Sequence, residues 1–74
     1  MNKTRWNALV LEAVYMLSDY QGQEVSMYEV AKYIQGILFL RPRWSTIIRH
    51  INRVIDEGHL ESTPYVRLRN PTEA

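Results

Sequence analysis

The chain contains no cysteine. Disulfide staples, thiolate zinc sites and cysteine nucleophiles are excluded, and a reducing, cytoplasmic setting fits that composition. Its three glycines, Gly22, Gly36 and Gly58, stand alone, so no glycine-rich loop exists to cradle a phosphate. The two histidines, His50 and His59, lie nine residues apart with no third ligand at a suitable spacing, so no metal site is expected. No run approaches the roughly 20 apolar residues that span a bilayer. The basic start Met1–Arg5 followed by apolar Leu9–Leu17 has the outline of a signal peptide, but Glu12 interrupts it and no small-residue cleavage site follows. Enzymatic chemistry lacks its parts as well. Asp56 and Glu57 are adjacent carboxylates that cannot face each other on a helix. A chain of 74 residues also has little room for a buried pocket, so neither a cofactor nor a small-molecule substrate is expected.

What is present suits one small folded unit spanning 1–74, with an ordered core over about 4–69. Hydrophobic content of 46% and charged content of 23% are those of a globular chain. The formal net charge is +1, but it is unevenly distributed. Residues 1–39 carry Lys3, Arg5 and Lys32 against Glu12, Asp19, Glu24 and Glu29. Residues 40–74 carry Arg41, Arg43, Arg49, Arg53, Arg67 and Arg69 against Asp56, Glu57, Glu61 and Glu73. Between 41 and 53 there are four arginines and no acid, which points to an anionic partner.

Periodicity divides the chain into three helices and a hairpin. Trp6, Leu9, Val10, Ala13, Val14 and Leu17 recur at helical spacing, which predicts a core-facing helix over about 5–20 with Thr4 as N-cap. Ser26 and Glu29 form a capping box, and Val25 and Val30 occupy the staple positions around it. The helix they start buries Met27, Val30, Ala31 and Ile34, with Ile37 and Leu38 as further members of the stripe, and ends between Gly36 and Leu38. After Pro42, a third helix is predicted over about 44–57 with Gly58 as its stop. Trp44, Ile47, Ile48, Ile51, Val54 and Ile55 fall within one arc of roughly 120° on it, which assigns Trp44 to the core. Ser45, Thr46, Arg49, Asn52, Arg53 and Asp56 fall opposite, with His50 on the flank. Residues 59–62 and 65–69 alternate in polarity around Thr63-Pro64, with Val66 and Leu68 facing inward.

Three helices, the third bearing arginines, followed by a two-stranded hairpin resemble the winged helix-turn-helix DNA-binding family. The likeness is most specific over 45–61, where Ile47, Ile51 and Ile55 match the buried positions of the family's third helix and Gly58 and Leu60 match its step into the wing. Val25-Ser26 and Glu29 to Ile34 are similar to its short first strand and second helix, with Ala31 as the small residue that admits the third helix. Two features depart from the pattern. Fourteen residues separate Ala31 from Thr46, and the apolar stretch 35–40 within them either extends the second helix or packs as an irregular turn. The wing is short, with no basic residue at its tip. Asn52-Arg53 with Thr63-Pro64 also echo the Z-DNA-binding subgroup, but Asp56 stands where that subgroup has a tyrosine, which excludes it.

The resemblance implies a mainly α fold with a small β-hairpin and a transcriptional regulator that inserts its third helix into the major groove of double-stranded DNA. On that reading Arg49 meets a guanine edge, and Ser45 and Thr46 offer hydroxyls at the helix start, flanked by His50. Arg41 and Arg43 clamp the backbone, Arg53 reaches a phosphate, and Arg67 and Arg69 hold the neighbouring strand. The competing reading pairs Arg53 with Glu57, four residues on, and gives Arg67 and Arg69 to edge-strand protection. On the first helix Ala8, Leu11 and Tyr15 lie opposite the core stripe, an arrangement that suggests a homodimer. The alternative function is a protein-binding module that uses this helix or the 37–40 turn.

Overall fold

Asn2, rather than Thr4, starts the first helix: its Oδ1 accepts the Arg5 amide at 2.9 Å and its carbonyl accepts the Trp6 amide at 3.1 Å. Asparagine ranks above threonine as an N-cap, so the start moves two residues upstream. The computed structural model of the chain describes residues 2–21, 25–39, 41–62 and 65–68, with only the backbone at Tyr20, Gln21, Ser62, Arg67 and Leu68. Within these, the elements are α1 (Lys3–Gln21), α2 (Met27–Ile37), α3 (Trp44–Asp56), β1 (Leu60–Ser62) and β2 (Val66–Leu68). The chain is mainly helical.

The start of α2 follows from its sequence. Ser26 Oγ accepts the Glu29 amide at 3.1 Å, and Glu29 Oε1 accepts the Ser26 amide at 3.4 Å. Val25 and Val30, on either side of this cap, are both completely buried. After α2 the chain turns through Leu38 and Phe39, where the Arg41 amide reaches the Leu38 carbonyl and Arg41 adopts a left-handed φ of 46°. The apolar stretch therefore ends the helix in an irregular turn rather than extending it, and its Leu40 lies outside the described residues. The Gln35 side-chain amide holds the Pro42 carbonyl at 3.4 Å, fixing the approach to α3.

At the far end of α3, Gly58 takes φ 85°. Its amide bonds the Ile55 carbonyl and that of His59 bonds Val54, the crossed pair of a Schellman stop. Glycine suits this position because a Cβ is strained at positive φ. The chain then enters β1, which pairs antiparallel with β2 in the register Leu60–Leu68, Glu61–Arg67, Ser62–Val66. Val66 also bridges to Val25, donating its amide to the Val25 carbonyl at 2.8 Å.

One core joins all of these elements. Trp6, Val10, Ala13 and Val14 from α1, Val30, Ala31 and Ile34 from α2, and Ile47, Ile51 and Val54 from α3 meet Val25, Leu60 and Val66. Three expectations fail at its margin. Trp44 is 37% exposed rather than internal, because it lies in the first turn of α3, beyond the end of the shared core. Ile37 is exposed at the last turn of α2, whereas Leu38 packs partly against the core. Leu11 is half-buried and packs against the core instead of lying on the outer side of α1.

Ile51 has no exposed surface in this core. Ile51→Ala should therefore cost about 2–5 kcal/mol of unfolding free energy, whereas Ser26→Ala, which removes one cap, should cost about 1 kcal/mol. Urea unfolding of the two variants measures the contrast.

Candidate nucleic-acid interface

The buried face of α3 determines which residues it presents to solvent. With Ile47, Ile51 and Val54 fully enclosed, Ser45, Arg49, Asn52 and Asp56 form an exposed strip at spacings of four, three and four. Arg49 and Asn52 have no hydrogen bond or ion pair with the described residues. A guanidinium matches the O6 and N7 of guanine, and an amide matches the N6 and N7 of adenine. Asn52 was not among the site residues expected from the sequence, although its spacing from Arg49 carries the signal.

The approach to α3 is also cationic. Arg41 and Arg43 are exposed, and Arg43 occupies the N-cap position without a side-chain cap bond. The Thr46 and Ile47 amides bond the Arg43 carbonyl at 3.0 and 3.1 Å, which leaves the Trp44 and Ser45 amides to water or to an anion, with the helix dipole adding to the attraction. Ser45 is exposed beside them and Thr46 is half-buried. Arg67 lies on β2 opposite Glu61, but its side chain and the whole of Arg69 lie outside the described residues.

His50 and Arg53 behave differently from Arg49. Both turn toward α1. The His50 ring stacks on Trp6 with centroids 4.2 Å apart and planes 6° from parallel. Arg53 Nη1 donates to Asn7 Oδ1 at 2.6 Å and to Glu57 Oε1 at 3.4 Å, while Nη2 lies 2.9 Å from His50 Nδ1. A guanidinium only donates, so Nδ1 must accept, and the neutral imidazole carries its proton on Nε2. Glu57 closes the cluster, meeting Lys3 Nζ at 2.6 Å and taking a bond from Asn7 Nδ2 at 3.3 Å. His59 Nε2 lies 3.8 Å from the same carboxylate. This cluster fastens the start of α1 to the second half of α3.

Both ends of the cluster have shifted acidities. Burial holds the His50 pKa below its ordinary 6.5, and the positive charges of Arg53 and Arg49 push it the same way. The hydrogen bond from Lys3 pulls the Glu57 carboxyl below its ordinary 4.5 against the opposing effect of desolvation, and the Lys3 charge, Asn7 and Arg53 add to the lowering.

On the α2 side of α3, Tyr28 and Trp44 meet with ring centroids 5.3 Å apart and planes tilted by 50°. The Lys32 ammonium stands 5.9 Å from the Tyr28 centroid. Sequence reasoning missed this group as part of a site. The i, i+4 pair Tyr28 and Lys32 was visible, but Trp44 had been assigned to the interior.

Elsewhere, Ala8 and Tyr15 of α1 are exposed and no longer have Leu11 fully between them. Phe39 is 97% exposed at the turn after α2. Among the described residues no three His, Asp or Glu side chains gather as a metal site, and no helix is long and apolar enough to cross a membrane. Compared with protein-family models, curated proteins and solved structures, the chain matches none.

The shift at His50 has a measurable consequence. Below about pH 6.5 the unfolded chain binds a proton at this histidine more readily than the folded one, so stability rises with pH between the folded and unfolded pKa values. Acidification from about pH 7 to pH 5 should lower the urea midpoint, and His50→Gln should reduce that drop. Glu57, whose folded pKa is lowered, acts in a more acidic window. Its contribution is present above its ordinary 4.5 and is lost as pH falls further.

Proposed function

We propose that the chain is a winged helix-turn-helix DNA-binding protein that regulates transcription by laying α3 in the major groove of double-stranded DNA. The observation that carries this reading is Arg49, an exposed guanidinium without a partner among the described residues, at the centre of a polar strip whose opposite face is locked in the core. Arg41, Arg43 and the open first turn of α3 are the phosphate contacts. Ser45, Thr46, Arg49 and Asn52 face the bases. Arg53 and His50 hold α3 against α1 and so contribute mainly to its placement, with the outer edge of Arg53 available to a phosphate. The hairpin takes the part of the wing, and Arg67 and Arg69 are assigned to the neighbouring DNA strand from the sequence alone.

A second reading has its own observation. Phe39, at 97% exposure beside exposed Ile37, is an apolar projection that a protein partner would cover. The exposed Ala8 and Tyr15 with half-buried Leu11 offer the corresponding surface for a homodimer through α1.

Titration against duplex DNA at increasing salt tests the first reading. Log K should fall by about 0.9 per phosphate neutralised for each unit of log salt, and Arg43→Ala should lessen the slope by about 1. Arg49→Ala should weaken binding to an enriched site by about 1–3 kcal/mol and relax its sequence preference. Absence of binding to any duplex at low salt would favour the protein-partner reading. Light scattering decides the homodimer, since a constant mass of 8.8 kDa at micromolar concentration removes it.

A further inference from the structure

The first turn of α3 carries an apolar feature that phosphate binding does not require. Trp44 remains 37% exposed and Tyr28 60% exposed, and the two rings meet at 50° with centroids 5.3 Å apart. A nucleobase stacks on an open, flat ring face. Here Trp44 lies against Tyr28, the Lys32 ammonium stands over the Tyr28 ring, and most of Trp44 is covered. Two tilted rings present an angle instead of a platform, and an angle accepts a small apolar group better than the plane of a base.

The surroundings narrow the choice of that group. Lys32 stands against Tyr28 and exposed Arg43 adjoins Trp44 in sequence, and the α3 start has no side-chain cap. An apolar angle among cations and open amides fits a partner that carries small apolar groups within an anionic frame. Duplex DNA has such a group in its major groove, the C5-methyl of thymine, which apolar side chains contact directly. Trp44 and Arg49 are five residues apart, about 7.5 Å along the helix axis, or about two base-pair steps.

We propose that Tyr28 and Trp44 form a specificity contact for the C5-methyl group of a thymine within about two base pairs of the base met by Arg49. The contact rests on the major-groove placement of α3 put forward above. It adds sequence preference through a methyl group rather than through a hydrogen bond to the base.

The test uses duplexes enriched from a random pool by the wild-type protein, resynthesised with deoxyuridine in place of each thymidine in turn. This exchange deletes the methyl group alone. At one position deoxyuridine should weaken wild-type binding about fourfold, the worth of one methyl taken from water. Trp44→Ala and Tyr28→Ala should bind both duplexes equally with an unchanged salt slope, and Trp44→Phe should keep part of the discrimination. Equal wild-type binding at every position overturns the proposal, and that result depends on no variant folding correctly. Undiminished discrimination by Trp44→Ala also overturns it. Either outcome removes the methyl contact and leaves DNA binding standing, whereas failure to enrich any duplex removes both.

Discussion

The rotation of α3 about its own axis is the constraint on which the rest of the molecule depends. Ile47, Ile51 and Val54 have no exposed surface, and turning the helix by one residue would bring a charged or amide side chain into a core whose buried residues, among those described, are all apolar. The penalty for such a turn is large compared with the modest net stability of a small domain. Arg49 and Asn52 are exposed because the isoleucines cannot be. The reading of this strip as a contact for nucleic acid therefore depends on the core as much as on charge.

The arginines of the second half divide into two groups by what surrounds them. Arg53 has an asparagine, a histidine and a carboxylate within bonding reach, and its charge serves the attachment of α1 to α3. Arg49 has no such partner among the described residues and remains available to an outside anion. A count of positive charges treats the two alike. Their partners distinguish them, since a guanidinium already satisfied at three sites gains less from a phosphate than a hydrated one does.

Features encoded over a few residues were legible in the sequence. The Ser26–Glu29 box, the Val25–Val30 staple and the Gly58 stop involve short spacings, and the structure has each in place. Periodicity also identified the buried faces of all three helices. It failed where an element extends past the core, as at Trp44 and Ile37, because a repeat gives direction around a helix but not how far the neighbouring helix reaches along it. It also treated Leu11 as outward, whereas that side chain packs partly against the core. The α1–α3 cluster was the least legible part. The sequence offered Glu57 as the partner of Arg53, but Asn7, 46 residues away, makes the shorter bond. Nothing in the spacing of Trp6 and His50 announces that their rings will stack.

The hydrogen bond from Val66 to Val25 has a mechanical meaning. Val25 immediately precedes the cap of α2, so the hairpin is tied by a 2.8 Å bond to the residue from which that helix departs. Tension on β2 would be delivered at the root of α2 and not spread over its length. Loosening the hairpin and unwinding the opening turn of α2 thus become a shared event, detectable as matched deuterium uptake at the Val66 and Val30 amides.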